Sequence, residues 1–170
     1  MSGVPSAIPS DSGHVCTVVG LGLRVHAQPA ALQALWMQAR GLLQSKAALP
    51  ASHPCAVAVL DTKAEHPALA AWLSAIAGNA RAVPVLPVPA DRMAGQSVAT
   101  QSPRLLARYG TGSVAEAAAL LAAGPLAELA VQRLVASDGS ATLAVAIRRA
   151  GHPACCVAAP PFQELQGAPA

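Results

Sequence analysis

The stretch HVCTVVGLG, residues 14–22, decides the fold class. It is a short apolar run that closes on glycines, as a buried strand does where it runs into a turn. The next stretch is helical. In PAALQALWMQARGLLQSK, residues 29–46, Leu32, Leu35, Trp36, Ala39, Leu42 and Leu43 recur at helical spacing, and Pro29 stands at the helix start. CAVAVLD, residues 55–61, is a second buried strand ending at Asp61. HPALAAWLSAIAG, residues 66–78, is a second helix with Leu69, Trp72, Leu73 and Ile76 on one face and Gly78 near its end. ARAVPVLPV, residues 80–88, is a short third strand whose prolines assign it to an edge or a strand end.

The second half changes rhythm. ADRMAG (90–95) is a turn of helix or a loop, and SPRLLARYG (102–110) is a short helix with Ser102 as N-cap and Pro103 at its first position. SVAEAAALLAAG (113–124) is a longer helix, and residues 126–149 form two apolar strands about an SDGS turn, a β-hairpin. Strand and helix alternate first and the hairpin comes last. That order predicts an α/β domain of three layers, α/β/α, with a mixed and partly parallel sheet. The parallel part comes from the first three strands and the antiparallel part from the last two.

Composition bounds the rest. The 170 residues suit one domain, expected over 14–149, with a disordered Pro/Ser/Gly-rich segment at 1–13 and an irregular tail at 150–170. Hydrophobic residues make up 54% of the chain but aromatic ones only 2%, so the core must come from Leu, Val, Ile and two tryptophans under closely packed alanine-rich helices. A net charge of +3 without a Lys/Arg cluster argues against nucleic acid and is compatible with an anionic small molecule. Cys16, Cys55, Cys155 and Cys156 form neither a zinc pattern nor a disulfide framework. Cys16 and Cys55 read as small core residues. His14, His26, His53, His66 and His152 are scattered without an i, i+4 pair, so no metal site is expected. The first residues lack the build of a signal peptide and no membrane-length apolar run occurs, so the expectation is a reduced, cytoplasmic protein with no cofactor.

Three stretches invite chemistry. GLGLR (20–24) comes directly after the first strand, as a tight strand-to-helix loop; Gly20 and Gly22 would let the backbone turn and approach a ligand, but a dinucleotide fingerprint needs a third glycine where Val25 stands. Arg24 there is either a fork for a carboxylate or phosphate or a solvated charge. LDTKAEHP (60–67) comes after the second strand. If the chain stays extended, Asp61, Lys63 and Glu65 point to one side at the carboxyl end of a parallel strand, where open α/β sheets bind ligands. The other reading is a wet helix-entry loop. GTGSVAE (110–116) opens the long helix. Ser113 and Glu116 form a capping box, while Gly110 and Gly112 go beyond what capping needs and leave the first turn available to an anion.

These motifs, closed by ATLAVAI (141–147), resemble the family of CobE proteins and CbiG C-terminal domains of cobalamin (vitamin B12) biosynthesis. The family pattern G-[IL]-G-C-R-[RK]-G matches at Gly20, Gly22 and Arg24. The pattern [ST]-x-D-x-K-A-D-E-x-x-L matches at Asp61, Lys63 and Glu65. The family's third motif, a glycine followed by V-[AS]-E at the start of an alanine-rich helix, matches at Gly112, Val114, Glu116 and Ala117. A basic residue common before the final hairpin corresponds to Arg133. The likeness covers about residues 16–149. Leu23 stands where the family has cysteine, Val25 and His26 replace a basic residue and a glycine, and the second acid of the acidic pair is lost at His66. The resemblance therefore carries no cysteine chemistry into the loop.

The resemblance implies a corrin or precorrin intermediate as ligand and other cobalamin-biosynthesis enzymes as candidate partners. Such a flat polycarboxylate would need spread-out donors (Arg24, Lys63 and N–H groups at the glycine-rich helix start) over an apolar floor supplied by alanine-rich helices. Two roles remain open. One is a CobE-type binder or carrier in the aerobic route. The other is a CbiG-like enzyme opening a precorrin lactone, with Asp61, Lys63 or Glu65 as acid or base. A nucleotide-binding or interaction module is the reading outside the family.

Overall fold

The computed structural model describes residues 15–46, 53–78 and 82–149. The expected terminal segments, with His14, His152, Cys155 and Cys156, lie outside the described residues. The elements are β1 (Val15–Leu23), α1 (Pro29–Ser45), β2 (Ala56–Leu60), a 3-10 turn (Asp61–Lys63), α2 (Pro67–Ala77), β3 (Val85–Val88), α3 (Ala90–Met93), α4 (Pro103–Tyr109), α5 (Val114–Ala123), β4 (Glu128–Val135) and β5 (Ala141–Arg149). Five strands make one sheet in the order β3-β2-β1-β5-β4. β1 pairs parallel with β2, and β2 with β3. β5 runs antiparallel between β1 and β4. The α/β class and the mixed sheet are those expected, and the proline-bearing β3 is an edge.

Alternation of side chains along the strands supplies both faces. Val19, Leu21, Val57, Val59, Leu143 and Val145 face α1 and α2. There Trp36 and Trp72 meet edge to face, 6.5 Å between centroids, and the Trp72 indole N–H donates to Gln33 Oε1 at 3.1 Å. Leu42, expected on the buried face of α1, is exposed; it falls one position off the stripe that ends at Leu43. The other face is carried by Cys16, Val18, Ala56, Ala58 and Ala146 beneath α5. Among the described residues no helix is long and apolar enough to cross a membrane.

Two expectations fail here. Gly20 and Gly22 do not lie in a loop. Strand β1 continues to Leu23 because β5 pairs with it through Leu23↔Ala141. A Cβ on Gly20 would collide with the Ala115 carbonyl and stand 2.7 Å from the Ala119 nitrogen, so this glycine exists to let α5 lie on the sheet. A Cβ on Gly22 would strike the Thr142 hydroxyl of the neighbouring strand. The second failure is residues 61–65. Asp61–Lys63 form a 3-10 helix immediately after β2 and 64–65 a turn instead of continuing extended, so the alternation of Asp61, Lys63 and Glu65 to one side does not arise.

Candidate functional site

The carboxyl ends of β1, β2, β3 and β4 point to one edge of the sheet, since β4 is antiparallel to β5 and β5 to β1. The same edge holds the start of α5. Its other end, Gly124, leads within four residues into Glu128 at the opposite edge. All three sequence motifs therefore converge on one edge, but they are built differently.

The loops after β1 and β2 are open and tied together. Arg24, Val25 and His26 are exposed, and Val25 keeps 83% of its surface. The Arg24 N–H donates to the Ser140 carbonyl at 2.9 Å, joining the loop to the β4–β5 turn. The Arg24 carbonyl accepts from the Ala27 N–H at 3.1 Å and lies 3.0 Å from His66 Nε2. His66 is the N-cap of α2, where its Nδ1 accepts the Ala68 N–H at 3.1 Å. That bond requires a lone pair on Nδ1, so the neutral ring carries its proton on Nε2 and donates it to the Arg24 carbonyl.

Asp61, Thr62 and Glu65 are exposed and Lys63 is half-buried. Asp61 Oδ1 accepts the Thr62 N–H at 2.7 Å. Among the described residues, no hydrogen bond or ion pair engages the Arg24 guanidinium or the Lys63 ammonium. At the hairpin turn the Ser140 hydroxyl, then its N–H, hold the Asp138 carboxyl below its usual 3.8, with His26 adding a smaller attraction.

The start of α5 is closed. Thr111, Gly112 and Ser113 are buried, and so is every residue of α5 from Val114 to Ala119. Gly110 ends α4 in the left-handed conformation, φ 70°. Gly112 lies against the 94–102 loop. Its carbonyl accepts the Ser102 N–H at 2.9 Å, and a Cβ would come 2.8 Å from Gln101 Cα. The two glycines beyond capping are thus accounted for by a helix end and a close approach. Ser113 Oγ accepts the Glu116 N–H at 3.3 Å as the capping box requires. The reciprocal half is missing, because Ser113 N–H finds Thr111 Oγ1 at 3.4 Å instead.

Glu116, 0% exposed, turns its carboxylate elsewhere. Oε2 accepts the Thr100 N–H at 2.9 Å, and Oε1 accepts the Thr100 hydroxyl at 2.6 Å and the Arg133 N–H at 2.8 Å. Burial alone would raise its pKa. The Thr100 hydroxyl and the N–H groups of Arg133, Thr100 and Ala99 outweigh that and keep it below 4.5. The Arg133 N–H is available because β4 bulges between Val131 and Leu134. Glu116 therefore fastens the 94–102 loop and the bulge of an edge strand to α5. The alanines of α5 from Ala115 to Ala119 are buried and offer no open floor.

The sequence singles out Arg24 and Lys63, which lie at this edge; it does not single out His66, Thr100 and Ser140, whose bonds tie the edge together. A signal existed for His66: it stands directly before Pro67 at a helix start, an N-cap position. Its bond to a residue 42 positions away carried none. Among the described residues no group of three His, Cys, Asp or Glu could hold a metal ion.

Residues 17–146 match the family described as cobalamin synthesis G C-terminus. Two solved structures share the fold. One is CobE, a protein from the cobalamin (vitamin B12) biosynthetic pathway, 25% identical with a TM-score of 0.63, covering 79% of this chain and 91% of that one. The other is cobalamin biosynthesis protein chiG from Agrobacterium tumefaciens str. C58, 26% identical with a TM-score of 0.50, covering 76% and 96%. No curated protein sequence matches significantly.

Proposed function

Because the chain belongs to the cobalamin synthesis G C-terminus family, we propose that it serves vitamin B12 biosynthesis by binding or handing on a corrin-ring intermediate at the carboxyl edge of its sheet. The observation that carries this reading is Arg24: an exposed guanidinium with no partner among the described residues, on a loop whose backbone is bonded on both sides. A corrin intermediate carries several carboxylate side chains, and an arginine is suited to a carboxylate through two parallel hydrogen bonds. Lys63 supplies a second cation on the neighbouring loop, and exposed Val25 offers apolar contact to a ring. The carboxyl edge is also where open α/β sheets take ligands. Ser113 and Glu116 have no part in this reading, since both are buried and bonded within the protein.

Binding is favoured over acid–base catalysis because Asp61 and Glu65 are exposed and Asp61 already accepts the Thr62 N–H; a catalytic acid or base draws its strength from a desolvated, directed setting. A cytoplasmic setting goes with this reading, as does exchange of the ligand with other enzymes of the pathway. The test is a visible-absorbance titration with hydrogenobyrinic acid, a metal-free corrin polycarboxylate. A saturable spectral shift that weakens about tenfold in Arg24→Ala is expected, the scale of one charge-assisted contact. Absence of any shift overturns the reading. An equal response to uroporphyrin would reduce it to general polycarboxylate binding.

A further inference from the structure

We infer that His66 is a positioning residue that fixes the Arg24 guanidinium for an anionic ligand; this rests on the reading of the carboxyl edge as a binding site. Arg24 is an exposed residue whose guanidinium has no partner among the described residues, yet its backbone is tightly held. Its N–H is fixed by Ser140, and its carbonyl receives both the Ala27 N–H and the His66 imidazole. Beyond the loop's own turn bond from Ala27, two separate elements, the β4–β5 turn and the start of α2, converge on this one residue. The imidazole spans the gap because it has a donor and an acceptor on opposite sides of a rigid ring. Nδ1 is spent on the α2 N-cap, and Nε2 reaches across to the loop after β1. A single neutral tautomer satisfies both bonds. A doubly protonated ring would set an N–H against the Ala68 N–H and break the cap.

The effect is preorganisation. Fixing the backbone of Arg24 fixes the direction of its Cα–Cβ bond, so less freedom remains to be lost when the guanidinium closes on a carboxylate. The same ring joins the Arg24 loop to the turn that carries Lys63, so the two cations keep one spacing. A ligand with carboxylates on a rigid ring benefits from that; a flexible one does not.

His66→Asn separates this role from a merely structural one. Asparagine is a good N-cap and keeps the bond to the Ala68 N–H, but it is too short to reach the Arg24 carbonyl. The expected result has three parts. In the unliganded wild type, nitrogen-15 shifts of the His66 ring show the Nε2-protonated tautomer. His66→Asn melts like the wild type. The variant binds hydrogenobyrinic acid about fivefold more weakly, the scale of one side chain left to be ordered on binding. Unchanged affinity in His66→Asn, or a ring protonated on Nδ1, overturns the inference while leaving the binding reading intact. If the wild type itself binds no corrin, the binding reading fails and this role for His66 fails with it; the tautomer then shows only whether the clamp exists as architecture.

Discussion

Two polar clusters stand at the same edge of the sheet and are built in opposite ways. Around the start of α5 the polar groups are turned inward and satisfied: Thr111 and Ser113 bond each other, and Glu116 takes donors from Thr100 and Arg133. Around the ends of β1 and β2 the backbone is satisfied but the charged tips of Arg24 and Lys63 are left unpaired among the described residues. The first pattern is what stability demands of buried polar atoms. The second keeps charges available. Glycine-rich motifs at a helix start and after a strand read alike in sequence, and the same residue types serve architecture in one place and exposure in the other.

The sharpest break of this contrast is Glu116→Ala. It strands the Thr100 N–H, the Thr100 hydroxyl and the Arg133 N–H, all directed at one buried carboxylate. Each orphaned donor is costly, and a loss of about 4 kcal/mol in urea denaturation is expected. A loss below about 1 kcal/mol would mean the closed cluster is not what fastens the 94–102 loop to β4. Gly20→Ala comes next. Its Cβ would press on the Ala115 backbone, which cannot rotate away, and about 2–3 kcal/mol should be lost as α5 lifts from the sheet. Both variants act on the closed region, so thermal melting reads both.

Acid should dissect the same cluster. The Glu116 carboxyl is held below its ordinary value of 4.5, so its contribution is present above that pH and is lost as pH falls through the lower folded value. Thr100→Val removes the 2.6 Å hydroxyl bond, the strongest of the contacts that lower it. The variant should lose about 1–2 kcal/mol at neutral pH and begin to unfold at a higher pH than the wild type. An acid transition that does not move in Thr100→Val would show that other carboxyls set it.

The fold was legible where period and punctuation agreed. The stripe from Leu32 to Leu43, the buried run CAVAVL and the DG turn between two apolar strands each force one local structure, and their order forces the α/β class. The site was half legible, for a physical reason. A cation on a loop after a strand is visible in sequence, so Arg24 and Lys63 stood out. Whether a glycine bends a loop or admits a helix is a tertiary question. Gly20 reads as a ligand turn until α5, from the far half of the chain, is laid across it. Glu116 reads as a cap because Ser113 lies three residues before it, and only the bulge in β4 reveals the donor that draws its carboxylate away. Asp61, Lys63 and Glu65 alternate in the one-letter code, but a 3-10 turn removes the geometry that alternation implies.

The smallest effects on stability belong to the open region, and they complete the comparison. Arg24→Ala and Lys63→Ala remove charges that hold nothing within the described structure, so each should leave the melting temperature within about 2 °C of the wild type. Their cost should appear in the corrin titration instead, larger for Arg24 with its two-pronged group than for Lys63. Glu116→Ala should behave inversely, with stability lost first and binding affected only through unfolding. If Arg24→Ala destabilised the fold as Glu116→Ala does, the two clusters would share one structural role. The guanidinium would then be a strut of the fold rather than a contact held ready for a ligand.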